Sequence, residues 1–300
     1  MTSSKKDMFY RILDDIEYLR RHFTNPVSVI KRCFKQRMGF DLNLCDPRSF
    51  SEKLQWLKLY DHNPLYTTLV DKYAVKEYVG ERIGYEHIIR TLGVWDRFNN
   101  IDFALLPNRF VLKCTHDSGG LVICKDKSRL DIPETRKIIN KCLNHNYYYG
   151  GFEWPYKNVT PRIIAEEYLE DTKTKELRDY KFFCFDGKVK YLFIATERQK
   201  EGEDVKFDFF DKDFNHLPIR QGHENASVPP EKPLRFEEMK VIAEKLSAGI
   251  PQVRVDLYEV DGRVYFGEMT FFHHGGWTPF DPEEWDTVFG KEIKLPPKRV

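Results

Sequence analysis

Three hundred residues, 41% hydrophobic and 32% charged, with 17 Gly and 16 Pro, describe a globular chain long enough to bury a sizeable core. The 48 basic and 47 acidic side chains nearly cancel, so no global field favours nucleic acid. No apolar run approaches the roughly 20 residues of a membrane span, the polar start lacks a signal peptide's apolar core, and six cysteines form no CxxC, so a cytoplasmic protein with reduced thiols is expected.

Met8, Ile12, Ile16, Leu19 and Phe23 recur at three- and four-residue steps, which predicts an amphipathic helix. Pro26 opens a second, from Val27 to Met38, closed by Gly39. Residues 1–38 hold nine Lys or Arg against four acids. Either this is a solvated basic face on a docked helical pair, or it contacts an anionic surface such as the inner leaflet of a membrane. Ser49 or Ser51 can cap a helix through Tyr60, and Asp71 begins another through Val79, closed by Gly80.

Beyond this point the pattern changes. Arg109 to Cys114 and Leu121 to Cys124 read as short strands around the loop Thr115-His116-Asp117-Ser118-Gly119-Gly120. Pro133 starts a helix to about Asn144, and Asn146 to Pro161 reads as a long loop. Arg162 to Glu167 is a strand. Tyr180 to Phe185 and Lys188 to Ala195 flank Asp186-Gly187, a strong hairpin signal. Val205 to Phe210 is a further strand, Phe236 to Ser247 an amphipathic helix, and Val253 to Val260 with Arg263 to Phe272 a second hairpin around Asp261-Gly262. A last helix runs from Pro282 to Phe289, with Gly290 after it. Helices followed by hairpins with interleaved helices predict an α+β fold with a largely antiparallel sheet.

Three features carry chemistry. Lys113 ends a strand and precedes a Gly-rich loop, a pattern that can hold a phosphate by ammonium and backbone N–H groups, although lysines also end strands simply to stay wet. Arg254 and Asp256 share one face of their strand, and Glu268 and Thr270 share one face of its hairpin partner. A two-residue turn at Asp261-Gly262 would put Asp256 and Glu268 on opposite faces. A three-residue loop would pair Arg254 with Glu268 and leave Asp256 diagonal to it, about 7–8 Å away, close enough for both carboxylates to hold magnesium. The bland alternative is a ladder of opposite charges in solvent. Third, Ile163 to Leu169 is an apolar strand running into acids, followed by Asp179-Tyr180-Lys181.

In this order the features resemble the ATP-grasp ligases, and within them the TupA-like branch of surface-polysaccharide biosynthesis. The resemblance runs from about Asp46 to Leu295 through Phe50-Ser-Glu-Lys-Leu-Gln-Trp-Leu-Lys58, Asp71-Lys-Tyr-Ala-Val75, Phe110-Val-Leu-Lys113, Asp179-Tyr-Lys-Phe-Phe-Cys-Phe-Asp-Gly187 and Gly267-Glu-Met-Thr-Phe271. It implies that Lys72 and Lys113 are the nucleotide lysines and that Ser118, Gly119 and Gly120 cover the phosphates. It implies an adenine hinge at Glu166, Glu167, Tyr168 and Leu169, with Asp179 at the ribose and Lys181 near the phosphates. Asp256 and Glu268 would bind Mg²⁺, with Arg254 beside them for a phosphate oxygen. Thr270 stands where many relatives carry Asn, which favours one bridging metal over two. Adjacent histidines on a regular strand cannot share one zinc. His273, His274, Gly275 and Gly276 are instead expected near the acceptor carboxylate or acyl phosphate, or else as a surface turn.

The implied organisation is a basic helical extension (1–48), a first subdomain with Lys72 (49–108), a lid (109–165) and a core with the metal site (166–300). The implied activity uses ATP and Mg²⁺ to phosphorylate a carboxylate, which an amine then attacks. The expected product is an amide on a surface glycan, between a uronic acid and an amino acid or small amine. A glycosyltransferase is the rival, on the strength of Asp211-Lys212-Asp213. A glycan-binding module using Tyr147 to Tyr149 and Trp154 is the third reading.

Overall fold

The computed structural model describes residues 20–173, 177–197 and 204–300. Residues 1–19, with most of the helix expected from Met8 to Phe23, lie outside the described residues. In α1 (Pro26–Met38), Asn25 accepts a hydrogen bond from Val27 N (2.9 Å), proline occupies the first turn, and Gly39 at φ 84° ends the helix. Val29, Ile30 and Phe34 are buried against Leu42 and Phe152. Lys31, Arg32, Lys35 and Arg37 stay exposed.

Ser49, not Ser51, caps α2 (Phe50–Tyr60), in a reciprocal capping box with Glu52. Ser51 Oγ donates to Asp286 Oδ1 (2.9 Å) inside the core. Two helices, α3 (Leu65–Val70) and α4 (Val75–Ile83), replace the one expected from Asp71 to Val79. The Asp71 carboxylate accepts from Tyr73 N and Ala74 N and so turns the chain between them. Gly80 lies inside α4 because Tyr85 leaves no room there: a Cβ would sit 2.5 Å from the Tyr85 ring.

The rest builds two antiparallel sheets. The smaller holds β1 (Thr91–Trp95), β2 (Phe110–Cys114), β3 (Leu121–Cys124) and β4 (Ile163–Glu167) in the order β1-β4-β2-β3. Helix α5 (Ile132–Leu143) packs on it, its Ile139 sharing a core with Phe110, Leu112, Ile163 and Ala165. The larger holds β5 (Asp179–Phe185), β6 (Lys188–Thr196), β7 (Lys206–Asp211), β8 (His216–Leu217), β9 (Val253–Val260) and β10 (Arg263–Thr270), in the order β10-β9-β5-β6-β7-β8. Central strand β5 is buried at every position. Phe182 and Cys184 meet α7 (Phe236–Ser247), whereas Phe183 and Phe185 meet Phe50 of α2 and Phe289 of α8 (Glu284–Glu292). The α+β class is as expected, with two separate antiparallel sheets.

The boundary expected at 108/109 does not separate two bodies. Helices α2 to α4 join the core of the large sheet, while β1 joins the small sheet as the outer partner of β4. The boundary expected at 165/166 cuts through β4, whose last residues pair with β2. The stretch from Asn146 to Pro161 is also more ordered than a plain loop, with α6 (Tyr148–Gly151) and a turn at Trp154–Tyr156. Helix α8 starts two residues later than expected and continues past Gly290. A Cβ there would lie 2.3 Å from the Arg48 carbonyl oxygen, so glycine permits the close approach of α8 to the start of α2.

Candidate active site

The sheets face each other across a cleft, joined on one side by a bridge between Ile88 and Phe266. A cavity of about 200 Å³ lies there, lined by Lys72, Lys113, Ser118, Gly119, Gly120, Glu166, Asp179, Lys181 and Glu268. A second, of about 220 Å³, shares Lys113 and Glu166 with it and is walled by Val111, Ile123, Glu167, Tyr168, Leu169 and Tyr258. One end is densely charged, with four lysines and four acids in its wall, and the other largely apolar, a division suited to a nucleotide.

Lys72 is fixed through its neighbours. Asp71 pairs with Arg162 (2.6 Å), Lys72 N donates to Thr115 O (3.0 Å), and Lys72 Nζ donates to Asp117 O. In the loop after β2, Asp117 Oδ1 accepts from Gly119 N and Gly120 N. Burial favours the protonated acid, but these amides outweigh it and hold the Asp117 carboxyl below its ordinary value. The loop amides thus already surround one anion.

Glu166 is buried, with its carboxylate 2.6 Å from Lys113 and 2.5 Å from Lys76. Burial pushes it up, yet the two ammonium groups win and hold its carboxyl below the usual range. One anion between two cations leaves this three-residue cluster with a net positive charge. The sequence reading missed Lys76, which lies in the first turn of α4, four residues after Lys72. Glu166 and Glu167 lie within the sheet between β1 and β2, so they are not the expected hinge. The backbone beyond the ladder begins at Tyr168 and Leu169.

The β9–β10 hairpin turns on two residues, Asp261 (φ 51°) and Gly262 (φ 76°), with Val260 opposite Arg263. Continued unbroken, that register would send Asp256 and Glu268 to opposite faces. A bulge at Gly267 intervenes, and Glu268 becomes the direct partner of Asp256, with Thr270 opposite Arg254. Neither register considered from the sequence is the observed one. A Cβ on Gly267 would lie 3.0 Å from both the Asp256 carbonyl oxygen and the Tyr258 ring. Gly267→Ala is expected to lower stability by about 1–3 kcal/mol and to reduce turnover; urea unfolding of the variant checks the first.

Asp256 is fully buried at the centre of the cluster. Arg254 grips it with Nε on Oδ1 and Nη2 on Oδ2 (both 2.7 Å), and Lys181, its partner on β5, bonds it while pairing with Asp179 (2.7 Å). Burial alone would raise the Asp256 carboxyl, but Arg254 and Lys181 hold it below its ordinary value. The Glu268 side chain is 43% exposed, and its ion pair among the described residues is with Arg254, at 3.8 Å. Thr270 Oγ1 accepts from Arg254 Nη2 (3.0 Å).

Among the described residues no group of three or more His, Cys, Asp or Glu is placed to hold a metal. Two carboxylates on facing strands are nevertheless what Mg²⁺ uses when phosphates and water complete its shell. Glu268 lines the cavity and fits a cation shared with a nucleotide, whereas Asp256 would join it only on giving up one of its bonds to Arg254 and Lys181.

His273 does not face an acceptor. It is 1% exposed, and its Nδ1 accepts from Arg254 Nη1 (2.5 Å). A guanidinium only donates, so Nε2 carries the proton and donates to Gln221 Oε1 (3.0 Å); Gln221 Nε2 then donates to Thr278 O (3.0 Å). Burial and the neighbouring cations keep this imidazole neutral. Gly275 and Gly276 are held under α2 by Gln55 and Lys58, so the expected acceptor-facing loop is a buried support for Arg254. His274 is half-buried beside Phe207.

The motifs behind the rival readings form local structure. Asp211 Oδ1 accepts from Asp213 N and Asn215 N, and Lys212 pairs with Asp213, so this DxD closes the turn after β7. Tyr148 packs on Phe152, Tyr147 on Tyr156 and Trp154 on His62. The six cysteines are thiols.

No curated protein matches the chain. Solved structures similar to it include D-alanine–D-alanine ligase from Bacillus anthracis (17% identity, 68% of this chain and 56% of that chain, TM-score 0.40). The ligase of the same name from Helicobacter pylori is 15% identical over 81% of this chain and 69% of that chain, TM-score 0.40. The ATP-grasp ligase PsnB, complexed with minimal precursor, Mg and ADP, is 11% identical over 74% of this chain and 57% of that chain, TM-score 0.40. The chain thus spans little more than half the length of the first and the last of these. A family model described as TupA-like ATPgrasp matches residues 52–294, from within α2 to just beyond α8. With most of its length matched, the chain belongs to the TupA-like ATP-grasp family.

Proposed function

We propose that the protein is an ATP- and Mg²⁺-dependent ligase that joins a carboxylate to an amine, with release of ADP and phosphate. The observation that carries this reading is the cleft itself. Its charged end gathers Lys72, Lys113 and the Ser118–Gly120 loop with Lys181 and Glu268, and its apolar end is lined by Tyr168 and Leu169. Lys72 and Lys113 would neutralise the nucleotide's phosphates, and Arg254, fixed by Asp256 and His273, would meet charge on the transferring group. Asp256 and Glu268 would hold Mg²⁺, which when bound offsets phosphate charge. No side chain need act as a nucleophile, since such catalysis rests on positioning and charge neutralisation.

The branch resemblance supports a glycan uronic acid as the carboxylate and an amino acid or small amine as its partner. Incubation with ATP, Mg²⁺ and uronate–amine pairs, with identification of the nucleotide product, tests the reading. ADP with phosphate, formed only when both substrates are present, is expected. UDP released from a sugar nucleotide would favour the transferase.

A cytoplasmic location is part of the proposal, since ATP is supplied there. Among the described residues no helix is long and apolar enough to cross a membrane. The exposed basic face of α1 supports peripheral attachment to an anionic leaflet, at about 1 kcal/mol per basic residue. Salt-reversible sedimentation with anionic vesicles, lost when Lys31, Arg32, Lys35 and Arg37 are changed to Gln, is the expected result. No binding at low salt would leave α1 with only its packing role.

A further inference from the structure

Two cysteines meet at Gly120, the residue that ends the phosphate loop. Cys114, the last residue of β2, donates its backbone N–H to Gly120 O (2.9 Å), which continues the ladder between β2 and β3 by one step. Residues opposite each other in a ladder share a face of the sheet, and the Cys114 side chain lies in the core that α5 covers. Cys142, in the last turn of α5, fills the space that a side chain at Gly120 would take. A Cβ there would lie 2.8 Å from Cys142 Cβ and 2.9 Å from the sulfurs of both Cys142 and Cys114. Two sulfurs equally close to one point are no more than twice that distance apart. Glycine leaves them the room to meet.

The same corner ties the loop to α5. Cys114 Sγ donates to Ile139 O of that helix (3.7 Å), and His116 Nε2 donates to Cys142 O (3.0 Å). Both Cys114 and Gly120 line the charged end of the cleft. Within the loop, Asp117 Oδ1 accepts from Gly119 N and Gly120 N. A phosphate that uses these amides must first displace Asp117, so the loop has to rearrange as the nucleotide binds. A bond that stiffens the loop in its present form therefore opposes the nucleotide.

Resting on the ligase reading, in which this loop covers the phosphates, we propose that Cys114 and Cys142 form a peroxide-sensitive dithiol whose disulfide fixes the loop on Asp117. Cys142 is half-buried, whereas Cys114 is 1% exposed. Contact with Cys142, together with burial, also keeps the Cys114 thiol protonated, so Cys142 is the first to react. Its sulfur attacks one oxygen of hydrogen peroxide, the O–O bond breaks, and the other oxygen leaves as water with the thiol proton. The Cys114 sulfur then attacks the sulfur of the resulting sulfenic acid. The S–O bond breaks, and the departing hydroxide takes the Cys114 proton to form a second water. Two thiols are oxidised to one disulfide, and one peroxide is reduced to two waters.

Treatment of the reduced full chain with equimolar hydrogen peroxide, then alkylation, proteolysis and mass spectrometry, tests the pair. A peptide linking Cys114 to Cys142 is expected. Hydrogen exchange over residues 115–121 is expected to slow in the linked protein and to recover with dithiothreitol. Absence of the linked peptide overturns the proposal, and so does exchange that the link leaves unchanged. In Cys142→Ser and Cys142→Ala, peroxide is expected to leave the exchange of the loop as it was. Slowing in either variant places the effect elsewhere and overturns the assignment. Calorimetry with Mg²⁺ and a non-hydrolysable ATP analogue is run separately on both forms. The linked form is expected to bind about tenfold more weakly or worse, the equivalent of one hydrogen bond to a charged group. Equal affinity of the two forms overturns the proposed clamp. A reduced protein that binds no analogue removes the ligase reading, while the link and the slowed exchange still establish the dithiol.

Discussion

Asp256→Asn is expected to destabilise the protein by about 3–5 kcal/mol, whereas Glu268→Gln should change stability by only about 0.5 kcal/mol while removing Mg²⁺-dependent turnover. The two carboxylates face each other across the hairpin, but their surroundings differ. Asp256 is fully buried and neutralises both Arg254 and Lys181, so its loss leaves two cations in the interior with one fewer partner. The Glu268 side chain is 43% exposed and, among the described residues, pairs loosely with Arg254, at 3.8 Å. Loss of activity in Asp256→Asn alone therefore says little about a metal, and Glu268→Gln is the cleaner probe. Urea unfolding separates the two effects, and equal stability of the two variants would contradict the geometry.

The Asp256 carboxyl is held below its unfolded value, so its stabilising contribution is present above that value, about 4 for an ordinary Asp. It is lost as pH falls through the depressed folded value. The unfolding free energy of the wild type should thus drop in strong acid by more than that of Asp256→Asn.

Lys113→Ala should weaken binding of a Mg²⁺–ATP analogue by about 10- to 150-fold, the equivalent of one charge-assisted hydrogen bond of about 1.5–3 kcal/mol. The fold should survive, because Glu166 keeps Lys76 at 2.5 Å after Lys113 is gone. Asp211→Asn is the control, since that carboxylate only closes a turn at the far side of the large sheet. Calorimetry of both variants decides the matter. Unchanged affinity in Lys113→Ala would remove this lysine from the nucleotide site.

Features set by local chemistry were legible in the sequence. Pro26 and Gly39 around α1 and both Asp-Gly hairpins follow from turn and capping preferences and appear where expected, and of the two serines offered as the cap of α2 the structure uses Ser49. The cleft residues came within reach chiefly through the resemblance to the ATP-grasp ligases, since Lys113 before a glycine loop is by itself a common pattern.

What escaped was decided by distant neighbours. Strand β1 is short, centred on Gly93 and half-buried throughout, so it carries no alternation to read. Lys76 becomes a site residue only because Glu166 arrives beside it from β4. The bulge at Gly267 is fixed by contact with Tyr258 and the Asp256 backbone across the hairpin. The chain from Arg254 through His273 and Gln221 to Thr278 joins three separate segments, and no spacing announces it.

A crystal structure with Mg²⁺ and a non-hydrolysable ATP analogue tests the central claim most directly. The account predicts phosphates between Lys72, Lys113 and the Ser118–Gly120 loop, a metal on Glu268, and the base against Tyr168 and Leu169. A nucleotide bound outside the cleft, or a metal on Asp211 and Asp213 with Glu268 untouched, would contradict it.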